Sequence, residues 1–150
     1  MARPARAGKN TNAKRRGELS ELAFVHKAAS LGFAVAKPYG DSERYDFILI
    51  SRDGAHGEKL WRVQVKSTTS RQNGLYRVNT HRSAKGCAAA YRRREVDFLV
   101  AHIIPDDAWF VVPVKEILAR TSLRFSAKGN PKSGINDRYR EAWDLMRGKP

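Results

Sequence analysis

Arg44-Tyr45-Asp46-Phe47-Ile48-Leu49-Ile50 and, after a turn around Asp53-Gly54, Trp61-Arg62-Val63-Gln64-Val65-Lys66-Ser67 read as the two strands of a β-hairpin. Each carries an ionic group where a buried strand should hold only apolar ones: Asp46 in the first and Lys66 in the second. Alternate residues of a strand share a face, which puts Asp46 with Ile48 and Ile50, and Arg62, Gln64 and Lys66 together on the neighbouring strand. A carboxylate and an ammonium are costly to bury there unless they serve each other or a metal ion.

Upstream, residues Gly17 to Leu31 have a helical pattern. At about 100° per residue, Leu22, Phe24, Val25, Ala28, Ala29 and Leu31 fall within one broad apolar stripe. Glu21 lies at the centre of that stripe and Glu18 nearer its edge, while Ser20, His26, Lys27 and Ser30 occupy the opposite side. An inward Glu21 needs a cation, either a basic side chain in a structural ion pair or a bound metal. Phe33 to Ala36 reads as a strand ended by Lys37-Pro38-Tyr39-Gly40, and the hairpin strands run from Tyr45 to Ile50 and from Leu60 to Ser67.

Downstream, residues 71–94 are polar, with a short strand expected at Leu75 to Asn79 and a helical turn at Ala88-Ala89-Ala90-Tyr91. Phe98 to Ile104 and Trp109 to Val114 are strands joined by a turn at Pro105-Asp106-Asp107. A short helix starts at Val114, and Ser126 to Asn136 is a loop. Tyr139, Trp143 and Met146, at i, i+4 and i+7, mark a last amphipathic helix.

The 150 residues suit one domain, residues 17–150, behind a basic flexible tail, residues 1–16, that has no hydrophobic period. Lys and Arg total 29 against 15 Asp and Glu, a formal charge of +14; without the six cations of the tail the body is still +8. The tail fits a phosphate-binding arm and an inert extension equally. Such a charge attracts polyanions, nucleic acid first among them. The single Cys87 excludes an internal disulfide and a thiolate zinc cluster, and suits a cytoplasmic protein. The four histidines lack metal-ligand spacing. No apolar run is long enough to cross a bilayer and no signal-peptide segment opens the chain, so no membrane partner is expected.

Hydrolysis of a phosphodiester needs a divalent cation to neutralise developing charge and acidify a bound water, and a basic group to position that water. Asp46 suits the cation and Lys66 the water. The side-chain oxygen of Gln64, the main-chain oxygen of Val65 and the carboxylate of Glu21 complete an all-oxygen shell of the kind Mg²⁺ prefers, with Mn²⁺ as a substitute. Each residue also has a plain structural role open to it. Asp46 can bond turn amides, Lys66 can project from a sheet edge, and Gln64 can be an ordinary hydrogen-bonding strand residue.

A Glu on a helix, an Asp on a strand and then an acid-x-Lys strand is an order that resembles the PD-(D/E)XK nucleases, the restriction-endonuclease-like superfamily. Tyr45-Asp46-Phe47-Ile48 followed by Val63-Gln64-Val65-Lys66 looks most like the branch of the group I intron homing endonucleases, with Holliday junction resolvases as more distant relatives. The resemblance implies an α/β fold with a restriction-endonuclease-like αβββαβ core, a central mixed sheet flanked by helices. It also implies Mg²⁺-dependent DNA cleavage carried by Glu21, Asp46, Gln64 and Lys66. The chain departs from the pattern twice: no Pro precedes Asp46, and Gln64 stands where Glu or Asp is usual, removing one negative charge from the metal site. The same replacement occurs in the intron-endonuclease branch.

Arg71, Arg77, Arg82, Lys85 and the run Arg92-Arg93-Arg94 follow the strand of Lys66 and are expected to line the path of a DNA backbone, giving affinity without sequence preference. Tyr76 and Tyr91, set among these charges, either stack on bases or pack locally. The alternative to an endonuclease is a catalytically inactive nucleic-acid-binding module of the same fold. A basic RNA-binding protein of ribosome-associated type would explain the charge but not Glu21, Asp46 and Lys66. Double-strand cleavage by a subunit with one site requires a homo-oligomer, a dimer or tetramer.

Overall fold

The structure is a computed structural model and describes residues 9–53, 57–84, 87–118, 120–128 and 136–147. In chain order the elements are helix α1 (Lys9–Ser30) and strands β1 (Ala34–Ala36), β2 (Phe47–Asp53), β3 (Gly57–Thr68), β4 (Arg71–Gln72), β5 (Leu75–Asn79), β6 (His81–Ala84), β7 (Cys87–Ala90), β8 (Phe98–Ile103), β9 (Ala108–Pro113) and β10 (Ser122–Ser126). Short 3₁₀ turns lie at Ile104–Asp106, Val114–Glu116, Asp137–Tyr139 and Trp143–Met146.

Every residue of β8, Phe98-Leu99-Val100-Ala101-His102-Ile103, is buried, the pattern of a strand covered on both faces. It lies inside a five-stranded mixed sheet of order β1-β2-β3-β8-β9, in which only the β3–β8 pair is parallel. The α/β fold with a mixed central sheet thus stands as expected. A parallel pair needs a crossover, which the αβββαβ order assigns to a second helix. Here the described part of the crossover, between Thr68 and Phe98, contains strands β4 to β7 instead. Ala88-Ala89-Ala90, expected as a helical turn, belongs to β7 and pairs antiparallel with β6.

Two apolar layers sandwich this sheet. On one face Phe24 and Ala28 of α1 meet Phe47, Leu49, Val63, Val65, Phe98, Val100, Trp109, Val111, Trp143 and Met146. On the other, Leu99, Ala101, Ile103, Phe110 and Val112 meet Tyr76, Val78, Leu123 and Phe125 of a second, antiparallel sheet of order β10-β5-β4. The strict alternation along β8 and β9 feeds both cores at once.

Helix α1 begins at Lys9, so residues 9–16 of the expected tail are helical, and residues 1–8 lie outside the described residues. Gly17 lies within the helix, where a Cβ would meet nothing within 4 Å, so its glycine marks no boundary. Its inward row is Ser20, Phe24 and Ala28, whereas Leu22 is 67% exposed. The helix ends in a Schellman-type cap: Gly32 takes φ 89° and the Phe33 N–H donates to the Ala28 carbonyl at 3.1 Å. Ser20, expected on the solvent side, is buried because its hydroxyl meets His102 Nδ1 at 3.2 Å. The His102 ring in turn stacks on Trp109 at 4.0 Å. Tyr139, Trp143 and Met146 are buried as their spacing required, but on two separate 3₁₀ turns, because Glu141 between them takes φ 49° and breaks the helical path.

Candidate active site

The hairpin of β2 and β3 pairs Phe47 with Val63 and Leu49 with Trp61. The Asp46 N–H donates to the Val63 carbonyl at 2.9 Å, extending the ladder by one residue and setting Asp46 beside Gln64. Phe47, Leu49, Val63 and Val65 pack toward α1. By alternation, Asp46, Gln64 and Lys66 belong to the opposite face, where Lys66 Nζ stands 5.9 Å from the ring centroid of Tyr91, a member of the second core. The hairpin therefore separates an apolar side from a polar one.

Asp46 is half-buried and its Oδ2 accepts two hydrogen bonds, from the Val65 N–H at 2.8 Å and from Gln64 Nε2 at 2.7 Å. Burial pushes its carboxyl up to about 6. The Glu21 charge adds to the rise, while the Val65 and Gln64 donors and the Lys66 charge oppose it. Lys66 is lowered from its ordinary value, first by burial, with the Asp46 charge working against the shift. The two groups feel each other's charge without forming an ion pair. Both hydrogen bonds to Asp46 fall on Oδ2, so Oδ1 is left for another ligand.

The structure therefore brings Asp46, Gln64, Val65 and Lys66 together, and corrects the placement of Glu21. Glu21 lies at the margin of α1, not at the centre of the buried row, and its Oε2 accepts from Lys37 Nζ at 3.0 Å. Lys37, just past β1, is a partner that the sequence pattern does not reveal; its ammonium is raised from its usual range, chiefly by the Glu21 hydrogen bond. Glu21 remains close enough for its charge to raise Asp46. Among the described residues no three His, Cys, Asp or Glu side chains cluster, so a cation here would draw on amide and main-chain oxygens as well as carboxylates. Asp46, Gln64, the Val65 carbonyl and Glu21 all carry hard oxygen atoms, and such a donor set suits a divalent cation.

Arg62, which shares the strand face of Gln64, is engaged elsewhere. Its guanidinium grips Asp97 through Nε–Oδ2 at 3.0 Å and Nη2–Oδ1 at 2.9 Å, and also donates to the carbonyls of Arg93 and Arg94. This fixes the turn between Tyr91 and β8. Of the expected DNA-facing residues, Arg71 and Arg77 are exposed on β4 and β5, and Arg92, Arg93 and Arg94 are exposed just after Tyr91. Arg82 lies in β6, and Lys85 lies outside the described residues. Tyr76 and Tyr91 are both buried, so they pack locally. Arg77 and Lys66 line one cleft of about 530 Å³ together with Arg16 of α1, a residue of the expected tail.

A half-buried Asp hydrogen-bonded to its neighbouring strand, followed on that strand by Gln-x-Lys in a mixed sheet backed by a helix, is the frame of a family of DNA-cleaving enzymes. A family model described as PD-(D/E)XK endonuclease matches residues 11–146, and the chain belongs to that family. Among solved structures it is similar to a bacterial homing endonuclease, I-Ssp6803I. That likeness has 26% identity and a TM-score of 0.75, and covers 93% of this chain and 94% of the other. No curated protein matches it.

Proposed function

We propose that this endonuclease hydrolyses DNA with Mg²⁺, or Mn²⁺ in its place, held by Asp46, Gln64, the Val65 carbonyl and Glu21. The observation that carries the proposal is Asp46 fixed by the Val65 N–H and Gln64 with Oδ1 left over, and Lys66 two residues further along the same strand face. The cation, when bound, supplies charge neutralisation at the phosphate and a water of lowered pKa. Gln64 presents Nε2 to Asp46; a half-turn of its amide exchanges nitrogen for oxygen without moving the chain. Among the described residues Lys66 forms no ion pair, and its ammonium, held beside the Tyr91 ring, is available to orient the attacking water and to face the phosphate. Arg71, Arg77, Arg82, Lys85, Arg92, Arg93 and Arg94 are proposed to contact the backbone, and cleavage of both strands would use a dimer or larger assembly.

One observation favours the second reading, a binding module without hydrolysis: Gln64 supplies an amide where a third carboxylate would strengthen the metal site. Nicking of supercoiled plasmid by the purified protein with Mg²⁺ or Mn²⁺ decides between them. The proposal expects nicking that disappears in Asp46→Ala and in Lys66→Ala; nicking that survives either substitution refutes the assignment, and DNA binding without nicking under any metal leaves the binding module.

A further inference from the structure

Three clefts in the described structure adjoin through shared arginines and contain no carboxylate in their walls. The cleft of about 530 Å³ at Lys66 is lined also by Arg16 and Arg77. A second, of about 640 Å³, shares Arg16 and adds Arg15 with Asn12 and Thr69. A third, of about 110 Å³, shares Arg77 and adds Arg124. Arg77 and Arg124 are direct cross-strand partners on β5 and β10, a like-charge pairing that is unfavourable by itself.

Several acidic side chains are paired with other cations. Glu95 pairs with Arg44, Glu58 with Arg52, Asp97 with Arg62 and Glu116 with Arg138. Among the described residues, Arg15, Arg16, Arg77 and Arg124 form no ion pair, and all four are exposed. A row of unneutralised guanidiniums, two of them set against each other, passes on both sides of Lys66 beside the candidate metal site. A chain of phosphates would relieve the repulsion and match the fork geometry of Arg.

We infer that Arg15, Arg16, Arg77 and Arg124 form a continuous phosphate track for duplex DNA that runs from the first half of α1, past Lys66, to the small sheet. The inference rests on the endonuclease reading and adds to it the helix and β10 as binding elements. The track extends the DNA surface beyond the arginine-rich segment 71–94 and gives Arg15 and Arg16 a use on the first half of α1.

The test is binding of a fluorescein-labelled 30-base-pair duplex, followed by anisotropy in EDTA across a series of KCl concentrations, with plasmid nicking in Mg²⁺ measured in parallel. Each arginine that neutralises one phosphate contributes about 0.9 to the slope of log Kd against log salt. Arg16→Gln/Arg124→Gln is expected to weaken binding for every duplex sequence and to lower the slope by about 2. Arg52→Gln, which removes an exposed arginine paired with Glu58, is expected to leave the slope unchanged. Circular dichroism checks that these surface variants are folded. A double variant that keeps the full slope, while the unmodified chain binds and nicks DNA, overturns the track and leaves the endonuclease standing. An unmodified chain that shows no salt-sensitive duplex binding overturns both.

Discussion

Asp46→Asn should make the protein more stable while removing its chemistry. The substitution deletes the charge and keeps an oxygen that can accept from the Val65 N–H. Burial raises the Asp46 carboxyl from 3.8 to about 6, a difference that corresponds to about 3 kcal/mol at 1.36 kcal/mol per unit. The sign follows from linkage. The folded state holds this proton more tightly than the unfolded chain, so the stability it contributes is complete below about pH 4. That contribution declines as the pH climbs toward about 6 and is lost above it. In EDTA, where no divalent cation competes for the carboxylate, the advantage of Asp46→Asn should be small at pH 4 and reach about 3 kcal/mol at pH 8. Urea unfolding at both pH values measures it through the shift in midpoint at constant m. A variant no more stable than the parent at pH 8, or a gain that does not vary with pH, would refute the claim that Asp46 is a desolvated acid held in place for something other than stability.

Three further outcomes follow from the same geometry. Mg²⁺ or Mn²⁺ should raise the melting temperature of the parent, by the equivalent of about 2.7 kcal/mol at a hundredfold excess over the dissociation constant, and should leave Asp46→Asn nearly unmoved; differential scanning fluorimetry reads both. Lys66→Met should lower plasmid nicking by a factor of about 10² or more without lowering the melting temperature, because the half-buried ammonium it removes forms no ion pair among the described residues and is disfavoured by burial. Phe24→Ala should cost about 3–5 kcal/mol in urea unfolding, since that ring is fully buried between α1 and the sheet, against Phe47, Trp109 and Trp143.

The strands were legible where burial writes an alternating or continuous apolar pattern. Leu75–Asn79 has the expected bounds, and β8 and β9 lie within a residue of theirs. The candidate site was legible for the same reason, because Asp46 and Lys66 interrupt that pattern. What escaped was decided by partners far away in the chain. Ser20 faces inward because His102 meets its hydroxyl 82 residues later, a pairing no helical wheel contains. The helix before Gly17 was hidden because residues 12–16 are exposed, so no apolar period marks them. Ala88-Ala89-Ala90 has high helix propensity, but pairing with His81-Arg82-Ser83 overrides it. Glu21 was found as a candidate and misplaced, because its partner Lys37 is set by the turn after β1 and not by the helix itself.

The two sides of the β2–β3 hairpin are in antiphase along the same backbone: Phe47, Leu49, Val63 and Val65 toward the helix, Asp46, Gln64 and Lys66 away from it. A one-residue shift of either strand would exchange its oily and its reactive sides. Whatever keeps the interior dry therefore keeps the candidate hydrolytic groups aimed, so the proposed chemistry is guarded by residues of the buried core.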